Sequence, residues 1–138
     1  MGINSHRKKI IVIEDDKNIN RLITYNLERV GFLVDSFYDG AEAEKRLSDN
    51  FYDIIILDIM LPGIDGFSLC KLVKDNFSYF KTSVIILSAK TDIQDKLYAH
   101  ILGADYYLTK PFKVEQLIDI VKEISALKDQ NFRVRVGT

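Results

Sequence analysis

The stretch that decides the fold is "IIILDIMLPGIDG", Ile54 to Gly66. Four consecutive apolar residues suited to a buried strand run into one aspartate, Asp58, and then directly into a turn holding Pro62, Gly63 and Gly66. A charge at the end of a strand without a polar face needs a partner, because a buried carboxylate is costly unless it is paired. The rest of the chain has to supply that partner.

Around this strand the sequence repeats one pattern. The apolar runs "IIVI" (Ile10 to Ile13), "FLVDSF" (Phe32 to Phe37), "DIIIL" (Asp53 to Leu57), "SVIIL" (Ser83 to Leu87) and "YYL" (Tyr106 to Leu108) read as strands. Most lack strict alternation, so both their faces are apolar, which suits a parallel sheet covered by helices on both sides. Between them, Ile19, Leu22, Ile23, Leu27 and Val30, and later Leu117, Ile120, Val121, Ile124 and Leu127, recur at helical spacing. Further helices are predicted from Gly40 to Leu47, Phe67 to Phe77 and Ile93 to Leu102, the last stopped by Gly103. Strict strand–helix alternation with short connections implies right-handed crossovers and a doubly wound α/β sheet. Residues 8–128 form the expected domain. Residues 1–7 and 129–138 are read as tails, the second a tail or linker remnant in which "NFRVRV" has the alternation of a short strand.

A chain of 138 residues is the size of one domain with one core. At 47% apolar and 28% charged, with two prolines, it is neither disordered nor collagenous. Nineteen basic and twenty acidic residues leave a net charge of -1, so no overall field draws it to nucleic acid or to an anionic membrane. One cysteine, Cys70, excludes an internal disulfide, and no long apolar stretch follows Met1 as a signal peptide or membrane span demands. A cytoplasmic location is expected. Cys70 shares helical spacing with Phe67, Val73 and Phe77 and reads as a small buried hydrophobe.

All strands of a parallel sheet end at one edge, where such folds place their sites. Glu14, Asp15 and Asp16 follow the first run, Asp58 the third, Ser88 and Ala89 the fourth, and Thr109, Lys110 and Pro111 the fifth. If the first and third strands are neighbours, Glu14, Asp15 and Asp58 come within a few ångströms, and like charges that close repel and tend to raise one another's pKa. Either Lys110 or a hard divalent cation is needed there. Mg²⁺ fits better than zinc, since no His or Cys stands among these residues. A carboxylate beside such an ion is a nucleophile toward phosphorus, so phosphoryl transfer is the reaction class. Ser88 would hydrogen-bond one phosphoryl oxygen and Lys110 pair with another. Plainer readings stand beside these. Asp15 or Asp16 caps the first helix and Asp65 the third; Ser88 satisfies a strand end; Lys110 is a surface lysine; Tyr107 is a half-buried core aromatic. His100 and His6 have no supporting residues around them and carry no chemistry.

"IIVIEDD", "DIIILDIMLPGIDGF", "VIILSAK" and "GADYYLTKPF", in this order, resemble the receiver domain of bacterial two-component response regulators over roughly Lys8 to Leu127. The resemblance implies a flavodoxin-like (βα)5 fold with strand order 2-1-3-4-5. It implies Asp58 as phosphoacceptor, Asp15 as a direct Mg²⁺ ligand, Glu14 acting largely through water, and the Met60 backbone carbonyl as a further ligand. Ser88 and Lys110 correspond to the phosphate-sensing hydroxyl and lysine, Tyr107 to the switch aromatic, and the Lys110–Pro111 bond to a cis peptide. A sensor histidine kinase or histidine phosphotransfer domain would be the donor. The face made by the fourth helix, fifth strand and fifth helix would engage an effector domain or target protein. Tyr106 stands where relatives that dimerise through this face carry an acid, and "VEQLIDIVKEISAL" (Val114 to Leu127) offers Lys122 and no Arg. A monomer or weak phosphorylation-dependent dimer is therefore expected, without direct nucleic-acid or membrane binding.

Three other functions compete. A phosphatase of the haloacid-dehalogenase type needs a second Asp two residues after the nucleophile, where this chain has Met60. A receiver fold used only for docking typically lacks one of the acids, the acceptor or the lysine, and all are present. A flavodoxin-like electron carrier would repel its FMN phosphate with three acids after the first strand.

Overall fold

The computed structural model describes residues 7–76 and 81–137, with side chains as far as Asp129. Strand and helix alternate as β1 (Lys9–Ile13), α1 (Lys17–Arg29), β2 (Leu33–Phe37), α2 (Gly40–Asp49) and β3 (Ile54–Asp58). They continue as α3 (Gly66–Asp75), β4 (Ser83–Ser88), α4 (Ile93–Ile101), β5 (Tyr106–Thr109) and α5 (Val114–Gly137). His6 and Phe77, the latter expected in the third helix, lie outside the described residues. The five strands are parallel in the order β2-β1-β3-β4-β5.

The uninterrupted apolar runs are explained by two cores, one on each face of the sheet. Ile11, Ile13, Ile55, Leu57, Val84 and Ile86 point toward α2, α3 and α4, where Leu47, Leu69 and Val73 meet them. Their chain neighbours Ile10, Val12, Ile54, Ile56, Ile85 and Leu87 point toward α1 and α5, against Ile23, Leu27, Leu117 and Val121. Burying each such side chain contributes roughly 1.5–3 kcal/mol, which fixes β1, β3 and β4 as the rigid centre. The strand ends that carry the acids inherit that rigidity.

Two expectations are corrected. Leu22 and Val30, placed on the buried stripe of the first helix, are exposed, and the face that α1 buries is Asn20, Ile23 and Leu27. The segment from 129 onward, read as a tail or linker remnant with a strand-like alternation in "NFRVRV", has no strand pattern and continues α5 as helix through Gly137. An established helix gains one hydrogen bond per added residue, which favours its extension over a short isolated strand. The base of α5 is also tied down: Lys8 Nζ lies 2.7 Å from Asp129 Oδ1, and Lys128 Nζ donates to the Lys81 carbonyl at 2.6 Å. Gly103 stops α4 as expected, with φ of 106° and its N–H on the His100 carbonyl.

Candidate functional site

The site lies on the edge where the parallel strands end. Register places Ile13 beside Leu57 and Asp58 beside Leu87, so β1 and β3 deliver their trailing acids to the same rim. Oxygens of Glu14, Asp15 and Asp58 all lie within 4.8 Å of one another. Glu14 and Asp58 are buried and Asp15 is exposed, so the cluster opens to solvent on one side.

The capping question resolves in favour of Asp16. Its Oδ1 accepts from the N–H groups of Asn18 and Ile19 at the start of α1, which leaves Asp15 out of the cap and facing the acids. Asp65 caps α3, accepting from the Phe67 N–H, as expected. Asp58 Oδ1 accepts from the Met60 N–H at 2.9 Å, so the turn after β3 holds one carboxylate oxygen in place. That turn is tight. A Cβ on Gly66 would lie 2.3 Å from Ile59 Cα and 2.7 Å from the Asp58 carbonyl oxygen.

Lys110 supplies the cation the acids require. Its Nζ lies 2.6 Å from Glu14 Oε1 and 2.9 Å from Asp58 Oδ2, reaching from the end of β5 past β4. Burial opposes the charged ammonium, but the contacts it donates to the Glu14 and Asp58 carboxylates, together with their charge, outweigh it and hold Lys110 above its ordinary value. Glu14 is pushed from 4.5 up to about 7, first by burial, against the pull of Lys110 and of the Asp16 N–H. Asp58 adds to the rise. The Lys110–Pro111 peptide is cis, as the resemblance implied.

Ser88 is fully buried at the end of β4, and its Oγ accepts from the Lys90 N–H at 3.0 Å. Tyr107 is half-buried on β5, and its hydroxyl donates to the Lys90 carbonyl, tying that strand to the loop before α4. The singled-out residues thus fall into two groups: Glu14, Asp15, Asp58, Lys110 and the Met60 N–H in direct proximity, and Ser88 with Tyr107 meeting at Lys90. His100 lies exposed on α4 and Cys70 is buried in the core.

One residue escaped the sequence reading. Asn20 is 1% exposed on α1, and its Nδ2 donates to the carbonyls of Glu14 and Phe37, each at 3.0 Å. The available signal was an amide at the position one turn before Ile23 and two before Leu27, on the face that packs inward.

The donor set suits a hard cation: three carboxylates converge, with no imidazole or thiolate among them. A family profile described as the response regulator receiver domain matches residues 10–122. Protein PilG of Pseudomonas aeruginosa is 41% identical over 114 residues, covering 83% of this chain and 84% of PilG. Response regulator ArlR of Staphylococcus saprophyticus is 40% identical over 110 residues, 80% of this chain but 49% of ArlR, so the chain spans about half of that relative. Among solved structures, the receiver domain of Francisella response regulator 1452 superposes with a TM-score of 0.81 at 36% identity, covering 88% of this chain and 99% of that one. The BeF3-activated DrrB receiver domain gives 0.77 at 33% identity, covering 87% and 98%. Strand order, acidic rim and relatives agree: the chain belongs to the family of response regulator receiver domains of two-component signalling.

Proposed function

We propose that Asp58 is the phosphoacceptor and that Glu14, Asp15, Asp58 and the Met60 carbonyl hold Mg²⁺. The observation that carries this is the convergence of three carboxylates within 4.8 Å at one rim, with the Lys110 ammonium already on two of them. When bound, Mg²⁺ would neutralise charge developing on the phosphoryl oxygens. The Asp58 oxygen attacks phosphorus of a phosphohistidine on a sensor kinase or phosphotransfer domain. The O–P bond forms as the P–N bond breaks, and the imidazole leaves. Lys110 pairs with a phosphoryl oxygen and Ser88 donates to another.

The switch follows from the second group of residues. Drawing the Ser88 hydroxyl to the phosphoryl group disturbs its bond with the Lys90 N–H, while Tyr107 holds the Lys90 carbonyl. The loop before α4 is therefore tied to β4 and β5 through the two main-chain groups of Lys90. The output surface is the α4–β5–α5 face, where Ile93, Leu97 and Ile101 stand exposed in one row on α4 and would meet an effector domain or target protein. No described helix is long and apolar enough to cross a membrane. We read the domain as cytoplasmic and as modifying only itself.

Mass spectrometry after treatment with acetyl phosphate tests the reading. Wild type gains one phosphoryl group only when Mg²⁺ is present, and Asp58→Asn gains none. Equal gain by both proteins overturns the assignment of Asp58.

A further inference from the structure

Polar side chains inside helix–sheet interfaces are uncommon unless every donor is matched, so a fully buried amide marks a position where geometry is being held. Asn20 is such a side chain. It lies on the buried face of α1, one turn before Ile23, beside a core layer of Ile, Leu and Val. Its two Nδ2 hydrogens serve two different strand ends: the Glu14 carbonyl just past β1 and the Phe37 carbonyl at the end of β2. The Phe37 carbonyl also accepts the Glu14 N–H at 3.1 Å, so Asn20, Glu14 and β2 close a ring of three hydrogen bonds. The remaining oxygen, Oδ1, accepts from the Thr24 hydroxyl at 3.3 Å one turn along α1.

We infer that Asn20 is a positioning residue for the cation site: by holding the Glu14 carbonyl it fixes the Glu14–Asp15 peptide, and with it the direction in which both carboxylates face Asp58. This rests on the reading of Glu14, Asp15 and Asp58 as the Mg²⁺ site. The reasoning is geometric. Glu14 and Asp15 leave β1 where ladder bonding ends, and the peptide joining them offers its carbonyl to Asn20 alone among the described bonds. Without that donor only the Glu14 N–H on the Phe37 carbonyl and the Asp16 N–H on Glu14 Oε2 still hold this turn; the peptide between them gains rotational freedom that lets Asp15 turn out of the cluster, and a carbonyl is left without its donor. Groups that orient metal ligands in this way typically change metal affinity about 10–100-fold when removed.

The test is Mg²⁺ titration by calorimetry on the full chain, comparing wild type, Asn20→Leu, Thr24→Val and Leu27→Ala. Asn20→Leu keeps the volume and loses both donors; Thr24→Val removes only the contact to Oδ1; Leu27→Ala destabilises the same helix without touching the site. The expected result is a Kd about 10–100-fold weaker for Asn20→Leu and within about twofold of wild type for the other two. Equal weakening in Leu27→Ala, or unchanged affinity in Asn20→Leu, overturns the inference. Should Asn20→Leu not fold, NMR of wild type decides. The Asn20 side-chain amide protons are expected to exchange slowly and to shift on Mg²⁺ addition; fast exchange with no shift overturns it. Failure of the wild type to bind Mg²⁺ removes the underlying site, whereas a wild type that binds beside an unaffected Asn20→Leu removes only the positioning role.

Discussion

Lys110 bridges two acids that belong to different strands, Glu14 after β1 and Asp58 at the end of β3, at 2.6 and 2.9 Å. It is the internal counter-ion of a rim that otherwise gathers three carboxyl groups. Removing a partner from a largely buried charge leaves the remaining charge uncompensated. Lys110→Met is therefore expected to lower stability without Mg²⁺ by roughly 1–3 kcal/mol, and Mg²⁺ is expected to restore part of the loss by supplying the missing cation. Urea unfolding with and without the ion measures both. An unchanged midpoint in chelator contradicts the bridging role.

Glu14 makes the metal-free domain sensitive to pH. Its carboxyl rises from 4.5 to about 7 on folding, so the folded chain holds a proton that the unfolded chain releases. The contribution is complete below about pH 4.5 and is lost as pH rises through about 7, an effect of roughly 3 kcal/mol at most. If Glu14 takes part in the proposed Mg²⁺ site the ion competes with this proton, so its apparent affinity is expected to rise by up to about tenfold per pH unit below 7 and to level off above it. Calorimetric titrations in buffers of different ionisation enthalpy would reveal the released proton. Affinity independent of pH across this range contradicts it.

Adjacent aspartates carry separable duties. Asp16→Ala removes the cap on α1 and is expected to cost about 1 kcal/mol with Mg²⁺ affinity retained. Asp15→Asn is expected to do the reverse, abolishing tight Mg²⁺ binding while stability in chelator holds or rises as repulsion falls. Thermal melts and ion titrations on the two variants form the comparison. The same loss of affinity in both would merge the two roles.

Gly66 sets the turn behind Asp58. A methyl group there would meet Ile59 Cα at 2.3 Å, a backbone atom that cannot yield without moving Asp58. Gly66→Ala is expected to destabilise by roughly 1–3 kcal/mol and to slow labelling of Asp58 by acetyl phosphate. Wild-type stability and labelling rate would contradict the close approach.

The sequence was most readable where a residue's environment is dictated by its neighbours in the chain. Ile54 to Leu57 and Ile10 to Ile13 are buried on both faces, so their unbroken apolar runs identified the central strands directly. The rim acids were legible because strand ends share an edge. Strand order came from the resemblance, since helical crossovers of similar length permit several orders. Leu22 and Val30 were misplaced because helical spacing defines a stripe without saying how much of it the sheet covers. Asn20 went unnoticed for the opposite reason: polarity alone marks a residue as external, and only the carbonyls of Glu14 and Phe37 explain its burial. The double contact of Lys110 depends on which strands lie between β1 and β5, information no local window contains.

The main-chain ladder does not stop where the strands do. The Ile59 N–H bonds the Leu87 carbonyl at 3.2 Å and the Lys110 N–H bonds the Ser88 carbonyl at 2.7 Å, so the backbones bearing Asp58, Ser88 and Lys110 are stapled together at the rim. Their spacing behaves as a fixed ruler. On the reading of Asp58 as phosphoacceptor, that leaves torsion about side-chain bonds and the loop leading into α4 as the adjustable parts of the rim.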